Sequence, residues 1–311
     1  MEVRLDGLSI VRAGRLVLDV PALTFASGTT TAVFGPNGSG KTTLLRAIAG
    51  LDRPAAGRVT FDGHEPGRRP IALAFQRPVF VRGTVRENLR LGLELWGIPA
   101  AEREGRIAAA AAECGIDALL DRSAHELSGG EAQRASLARV LALDPPVMLL
   151  DEPLSGIDRA ARAQLLEDLP ALVSRATRTT ILVTHDRDEA FRVADHLVVL
   201  AGGRVRASGS KAALYAAPPD AETATLLGYT VLEVAGERFA VEPGGVTIAG
   251  DGASALTMVA EQVMDMGAHL VVAGRSGAAR IEVSVPAGSG VPAPGAVVPL
   301  GISRRVPLPP A

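Results

Sequence analysis

Cysteine is almost absent from this 311-residue chain, and the single residue, Cys114, excludes an internal disulfide and accords with a reducing compartment. It lies in the alanine-rich stretch AAAECG, the setting of a buried helix thiol more than of a reactive one. Lysine is scarce as well: of 32 basic residues only Lys41 and Lys211 are lysine, so a lysine inside a glycine loop stands out. Charge of one sign is missing, with a net of −2 and no basic run, which leaves no face for a nucleic acid. No stretch approaches the ~20 apolar residues that span a bilayer. The first residues, MEVRLDGLSI, carry no apolar core of signal-peptide length. The expectation is a soluble chain of one large or two ordinary domains that reaches a membrane only through a partner. Internal repeats and low-complexity tracts are also absent.

What is present is an alternation of short apolar runs with longer helical patterns over the first two-thirds. TTAVFG (30–35), PIALAF (70–75), PVMLLD (146–151) and TTILVTHD (179–186) read as buried strands that end in polar residues. Such runs separated by helices predict an α/β fold with a mainly parallel sheet, whose sites lie beyond the carboxyl ends of the strands. Residues 84–143 read as a helical insertion. The segment YAAPPDAETATLLG (215–228) has a Pro-Pro break and a closing glycine, a boundary pattern that divides the chain into 1–228 and 229–311. Beyond it, ARIEVSV (279–285) alternates with period two and puts Ile281, Val283 and Val285 on one face. With RFAVE, LTMVA, HLVVAG and AVVPLGIS it predicts a small all-β, barrel-like domain.

GPNGSGKT (35–42) fits the phosphate-loop pattern in full, after an apolar strand and before the helical run TTLLRAIAGL. Gly35, Gly38 and Gly40 let the backbone of the loop, which also holds Pro36 (without an N–H), Asn37 and Ser39, curl so that its N–H groups face phosphates. Lys41 supplies a compact cation, Thr42 an oxygen for Mg²⁺, and Thr43 continues the loop into the helix. A plain glycine turn would explain neither the lysine nor its context. At the end of PVMLLDEP, Asp151 offers a second Mg²⁺ ligand and Glu152 an acid to orient or deprotonate water; the alternative is that both cap the next helix. Together these motifs predict a nucleotide triphosphatase. A second anion trap opens HELSGGEAQRASLARVLAL (125–143): Ser128 is a good N-cap, Gly129 and Gly130 leave the backbone bare, and a helix follows. S-G-G-E also satisfies a capping box, so Glu131 is expected to face its own backbone.

LSGGE (127–131), with those motifs, Gln76 in AFQRP, SGID (155–158) and His185 in VTHD, resembles the ATP-binding subunits of ABC transporters over residues 1–228. The resemblance implies a head-to-tail dimer in which Ser128, Gly129 and Gly130 of one copy meet the γ-phosphate of ATP held by the other. It further implies that Gln76 senses the γ-phosphate and Mg²⁺ while its loop touches a permease, and that Glu152 polarises water. His185 would bridge the γ-phosphate and the partner's Asp158 region. His64, His125, His196 and His269 lack such a context. One departure is the hairpin IVRAGRLVL (10–18), where Ala13 stands where family members place an aromatic on adenine. Unless Arg12 or Arg15 stacks instead, weak discrimination between ATP and GTP is expected.

Residues 229–311 resemble the small regulatory β-barrel (TOBE-like) of certain importer ATPases; the alternative is a purely dimer-stabilising appendage. The resemblance implies an importer motor at the cytoplasmic face of the membrane, with a polytopic permease and, through it, an extracytoplasmic solute-binding protein. FQRPVFVRGTVRENLRLGLELWGIP (75–99) resembles oxyanion importers of the tungstate, molybdate or sulfate type more than sugar importers. Polyamine, iron or sugar cargo remains an alternative, as do an exporter motor and a soluble ABC ATPase acting on nucleic acid or ribosomes.

Overall fold

The computed structural model describes residues 1–65, 71–173, 178–234, 237–249, 256–277, 279–288 and 290–309. Pro70, at the start of one expected strand, lies outside them. The chain divides into two compact units, Met1–Lys211 and Ala212–Ala311.

The first unit opens with β1 (Val3–Arg12), β2 (Arg15–Phe25) and β3 (Thr30–Phe34), followed by α1 (Lys41–Ile48), β4 (Ala56–Phe61) and β5 (Ile71–Ala74). Three helices come next, α2 (Val85–Trp96), α3 (Ala100–Cys114) and α4 (Gly129–Leu143), which make up the expected helical insertion. The unit closes with β6 (Val147–Asp151), α5 (Arg159–Val173), β7 (Thr179–Thr184), α6 (Arg187–Val193), β8 (His196–Ala201) and β9 (Arg204–Ser210). Nine strands form one sheet in the order β4-β1-β2-β9-β8-β3-β7-β6-β5. The run β8-β3-β7-β6-β5 is parallel throughout, while β4-β1-β2 and the β8-β9 hairpin are antiparallel. The sheet is therefore mixed, and its parallel half carries the site.

Every residue of β3, β6 and β7 is buried, as strands covered on both faces require. Helix α1 packs Leu44, Leu45 and Ile48 into the cluster that holds Val33, Leu149, Ile181, Val183 and Val198. Each such leucine or isoleucine contributes about 1.5–3 kcal/mol of burial, which fixes the start of α1 against the ends of the parallel strands.

The second unit contains most of α7 (Lys211–Ala216), α8 (Ala221–Leu226), and β10 (Thr230–Val234), β11 (Glu237–Val241), β12 (Val246–Ile248), β13 (Thr257–Asp265), β14 (His269–Ser276), β15 (Ala279–Pro286), β16 (Val297–Ile302) and β17 (Arg305–Pro307). Two antiparallel sheets, β10-β11-β17 and β12-β16-β13-β14-β15, share one core that includes Leu232, Phe239, Met258, Val272 and Leu300. Ile281 and Val283 are buried in it and Val285 packs at its edge. The unit begins before residue 228 because the prolines at 218 and 219 separate two short helices rather than two domains. Helix α8 packs on β10 and β11, so it belongs with the strands that follow.

Candidate functional site

The chain leaves β3 at Phe34 and turns through residues 35–40 into α1. Gly35 has no space for a side chain, since a Cβ would lie 2.0 Å from the Leu200 carbonyl oxygen. Gly40 adopts φ +102° and precedes α1 without any side-chain cap, so the first-turn N–H groups stay open at the positive end of the helix. Pro36, Asn37 and Gly38 are exposed, while Ser39 is buried with its Oγ unpartnered. Lys41 is buried and donates from Nζ to the carbonyls of Gly35 (2.9 Å) and Pro36 (3.0 Å). Burial lowers its pKa, against the attraction of Glu152 and Asp151.

Thr42 Oγ1 donates to Asp151 Oδ1 at 3.0 Å, bringing the two expected metal ligands together across 109 residues of sequence. Burial pushes the Asp151 carboxyl up, with the Thr42 hydrogen bond opposing. Glu152 holds φ +45°, a left-handed conformation that costs a non-glycine residue about 1–3 kcal/mol and concentrates at functional sites. Its N–H donates to the Val183 carbonyl at 2.8 Å, which turns the side chain out of the sheet end. There Oε2 accepts from Gln76 Nε2 at 2.8 Å and Oε1 lies 3.1 Å from His185 Nδ1. Gln76 Nε2 also reaches Ser155 Oγ at 3.2 Å. Residues following β5, β6 and β7 thus converge on one point.

These groups fit a nucleotide with its metal: open helix N–H groups, a buried serine hydroxyl without a partner, a sequestered lysine, and a Thr–Asp pair. No cluster of three or more His, Cys, Asp or Glu side chains able to hold a metal occurs among the described residues. The Thr42 and Asp151 oxygens are donors of the kind Mg²⁺ takes, one or two from protein with phosphate and water completing its shell.

Ser128 caps α4 through the expected capping box. Its Oγ accepts from Glu131 N at 3.4 Å, and Glu131 Oε2 accepts from Ser128 N at 2.8 Å. Arg122 Nη1 adds an ion pair to Glu131 at 3.2 Å. These contacts hold the Glu131 carboxyl below the usual range, the backbone hydrogen bond from Ser128 foremost. Gly129 and Gly130 also serve packing: Cβ atoms there would sit 3.2 Å from the Gly156 carbonyl oxygen and 3.0 Å from Ala161 Cβ. Asp158 accepts from the N–H groups of Ala160 and Ala161, both at 3.0 Å, and so caps α5. Gln76, Gly129, Ser155 and Gly156 line one cavity of about 530 Å³, together with Phe80 and His125. Sequence reasoning gave Ser155 and His125 no part in it.

At the β1–β2 turn, Ala13 (φ +48°) and Gly14 (φ +75°) are both left-handed. Arg12 is drawn to Asp52, which also takes Arg46 of α1 at 3.0 Å. Arg15 is exposed.

Comparison with known proteins agrees with this geometry. The family model described as "ABC transporter" matches residues 18–155. The chain is 41% identical over 231 residues to the Fe(3+) ions import ATP-binding protein FbpC of Streptomyces coelicolor, covering 72% of this chain and 66% of that protein. It is 38% identical over 263 residues to the sulfate/thiosulfate import ATP-binding protein CysA of Mycobacterium tuberculosis, covering 80% and 75%. Among solved structures, cbiO1 of Clostridium perfringens, part of the ABC transporter complex cbiONQ, superposes with a TM-score of 0.62 at 28% identity, over 69% of this chain and 90% of that one. The chain belongs to the ATP-binding subunits of the ABC transporter family, which bind and hydrolyse ATP.

Proposed function

We propose that this chain is the motor of an ABC importer, in which two copies close on ATP and drive uptake through a polytopic permease fed by an extracytoplasmic solute-binding protein. The observation that carries this reading is the convergence of Gln76, Glu152 and His185 beside the Thr42–Asp151 pair. Residues 35–43 would hold the phosphates, with Lys41 as the cation, and Thr42, Asp151 and Gln76 would hold Mg²⁺. A metal held there would supply positive charge to the phosphoryl group being transferred. Glu152 orients the attacking water, and its acceptor oxygens are already aimed by Gln76 and His185. Ser128, Gly129, Gly130 and Asp158 would serve the nucleotide of a second copy; within this chain they act as caps and packing glycines.

No described helix is long and apolar enough to cross a membrane. Attachment at the cytoplasmic face through a permease is supported by Val79 and Val81, which stand exposed just after Gln76. An oxyanion is our first choice of cargo, in line with the sulfate relative. Iron is the second reading, favoured by the 41% identity to an iron-import protein.

Replacing Glu152 by Gln and measuring mass by light scattering with and without MgATP tests the dimer. A dimer that appears only with ATP and is lost in E152Q/S128R is expected; a monomer in every condition would overturn ATP-driven closure by this chain alone. Uptake of labelled sulfate, molybdate, tungstate and iron in cells lacking the chain decides the cargo.

A further inference from the structure

Glu189 is the most enclosed carboxyl near the site. Helix α6 starts two residues after His185, and Asp186 caps it: Oδ1 accepts from Glu189 N at 2.9 Å, and Oδ2 accepts from Arg162 Nη2 at 2.7 Å. The Glu189 side chain turns inward, 3% exposed, and its Oε2 accepts from Thr184 Oγ1 at 2.6 Å. Thr184 Oγ1 in turn accepts from Asp186 N at 3.0 Å. Both chain neighbours of His185 are therefore bound by one residue, Thr184 through the Glu189 carboxyl and Asp186 through the Glu189 amide. His185 itself is half exposed, and its one described side-chain hydrogen bond goes to Glu152.

We propose that Glu189 is a positioning residue for His185, fixing the Thr184–Asp186 segment so that the imidazole stays on Glu152. The inference rests on the reading of His185 and Glu152 as parts of the ATPase site. Glu189 Oε1 is buried without a partner, a position in which a charged carboxylate would be costly and a neutral acid much less so. The groups around it act in both directions. Burial pushes its pKa up to about 7, and Asp186 and Glu152 push the same way; the Thr184 hydrogen bond and Arg162 of α5 oppose. Strand β3, which also packs on α6, brings no titratable side chain. Lys211 is engaged farther along the helix, at the Phe191 carbonyl.

Glu189 is thus neutral below about pH 7 and ionises above it. The ionised form keeps the Thr184 hydrogen bond but places a third negative charge beside Glu152 and Asp186, a repulsion that is expected to disturb the segment that bears His185. Because the folded pKa lies above the ordinary value of 4.5, the cost to stability builds between pH 4.5 and about 7 and is constant above that.

The test measures kcat and KM for ATP across roughly pH 6 to 8.5 in the full chain, with melting temperatures recorded alongside. The variants are E189A, E189Q, T184V, T184V/E189A and H185A. E189A and T184V should each lower kcat by about tenfold with little change in KM, because a small misplacement of a catalytic group acts on turnover. The double variant should be no worse than either single one. E189Q should keep kcat within about threefold and lose the wild-type decline of kcat above pH 7. Wild-type turnover in E189A, additive losses in the double variant, or an E189Q profile matching the wild type would each overturn the inference. If E189A does not fold, E189Q and T184V still decide. H185A at wild-type turnover would overturn the underlying reading of the site, whereas an impaired H185A beside a normal E189A would sink this proposal alone.

Discussion

Ala13 sits in a left-handed turn where the family places a base-stacking aromatic, and the nearest cation, Arg12, is committed to Asp52. With Arg12 withdrawn, Arg15 is the remaining side chain at the turn that could lie on a base. Stacking on an aromatic is worth roughly 1–3 kcal/mol per base in nucleic-acid sites. We therefore expect ATP and GTP to compete for this protein within about fivefold of one another, as measured by displacement of a fluorescent nucleotide; a strong ATP preference would count against it. Cys114 gives a second expectation at this scale. It is 1% exposed, and burial pushes its thiol up to about 12, so the thiolate that reacts is almost absent at neutral pH. Ellman's reagent should leave the folded protein unlabelled and titrate one thiol after denaturation. The alanine-rich context alone made this burial legible. The left-handed backbone of Glu152 left no trace in the sequence, and the hydrogen bond that accompanies it goes to Val183, a strand away.

Between elements, the contact that sequence reasoning missed is the one from α4 to the segment after Gln76. Arg139 Nη1 donates to the Val79 carbonyl at 2.7 Å, and its guanidinium lies 5.3 Å over the Phe80 ring. Asn88 of α2 holds the other end, accepting from Val81 N at 2.8 Å and donating to the carbonyls of Val81 (3.1 Å) and Thr84 (2.9 Å). The helix that begins at Ser128 is thereby tied to the loop that aims Gln76. R139A should cost about 2–3 kcal/mol, from a charged hydrogen bond and a cation–π contact, and lower the melting temperature measurably while nucleotide binding persists. Such ties are invisible in sequence because the acceptor is a backbone carbonyl, which any residue supplies. The strands themselves were legible: β3, β6 and β7 are continuous apolar runs whose ends carry the polar residues. The capping box at Ser128 was equally plain, since both of its partners lie within four residues.

At the scale of the molecule, the boundary between the units was the least legible feature. Two prolines mark a break in any chain, but which side a short helix joins depends on the strands it packs against, here β10 and β11, and a break signal does not say which those are. The sheet of the first unit is complete by Ser210, and all the site residues lie before it. A fragment of residues 1–211 should accordingly fold and bind a fluorescent ATP analogue with an affinity within about threefold of the full chain; a fragment that is soluble but does not bind would show that the second unit contributes to the nucleotide site. The order of strands has one more consequence. Strand β3 lies between β7 and β8, and Gly35 is pressed against Leu200. A ribosome making this protein must therefore extend the chain past residue 200 before the phosphate loop has its seat. At 5–20 residues per second that is a delay on the order of ten seconds, during which the nascent chain already displays every letter of the ATP-binding motif and has nowhere to put the ATP.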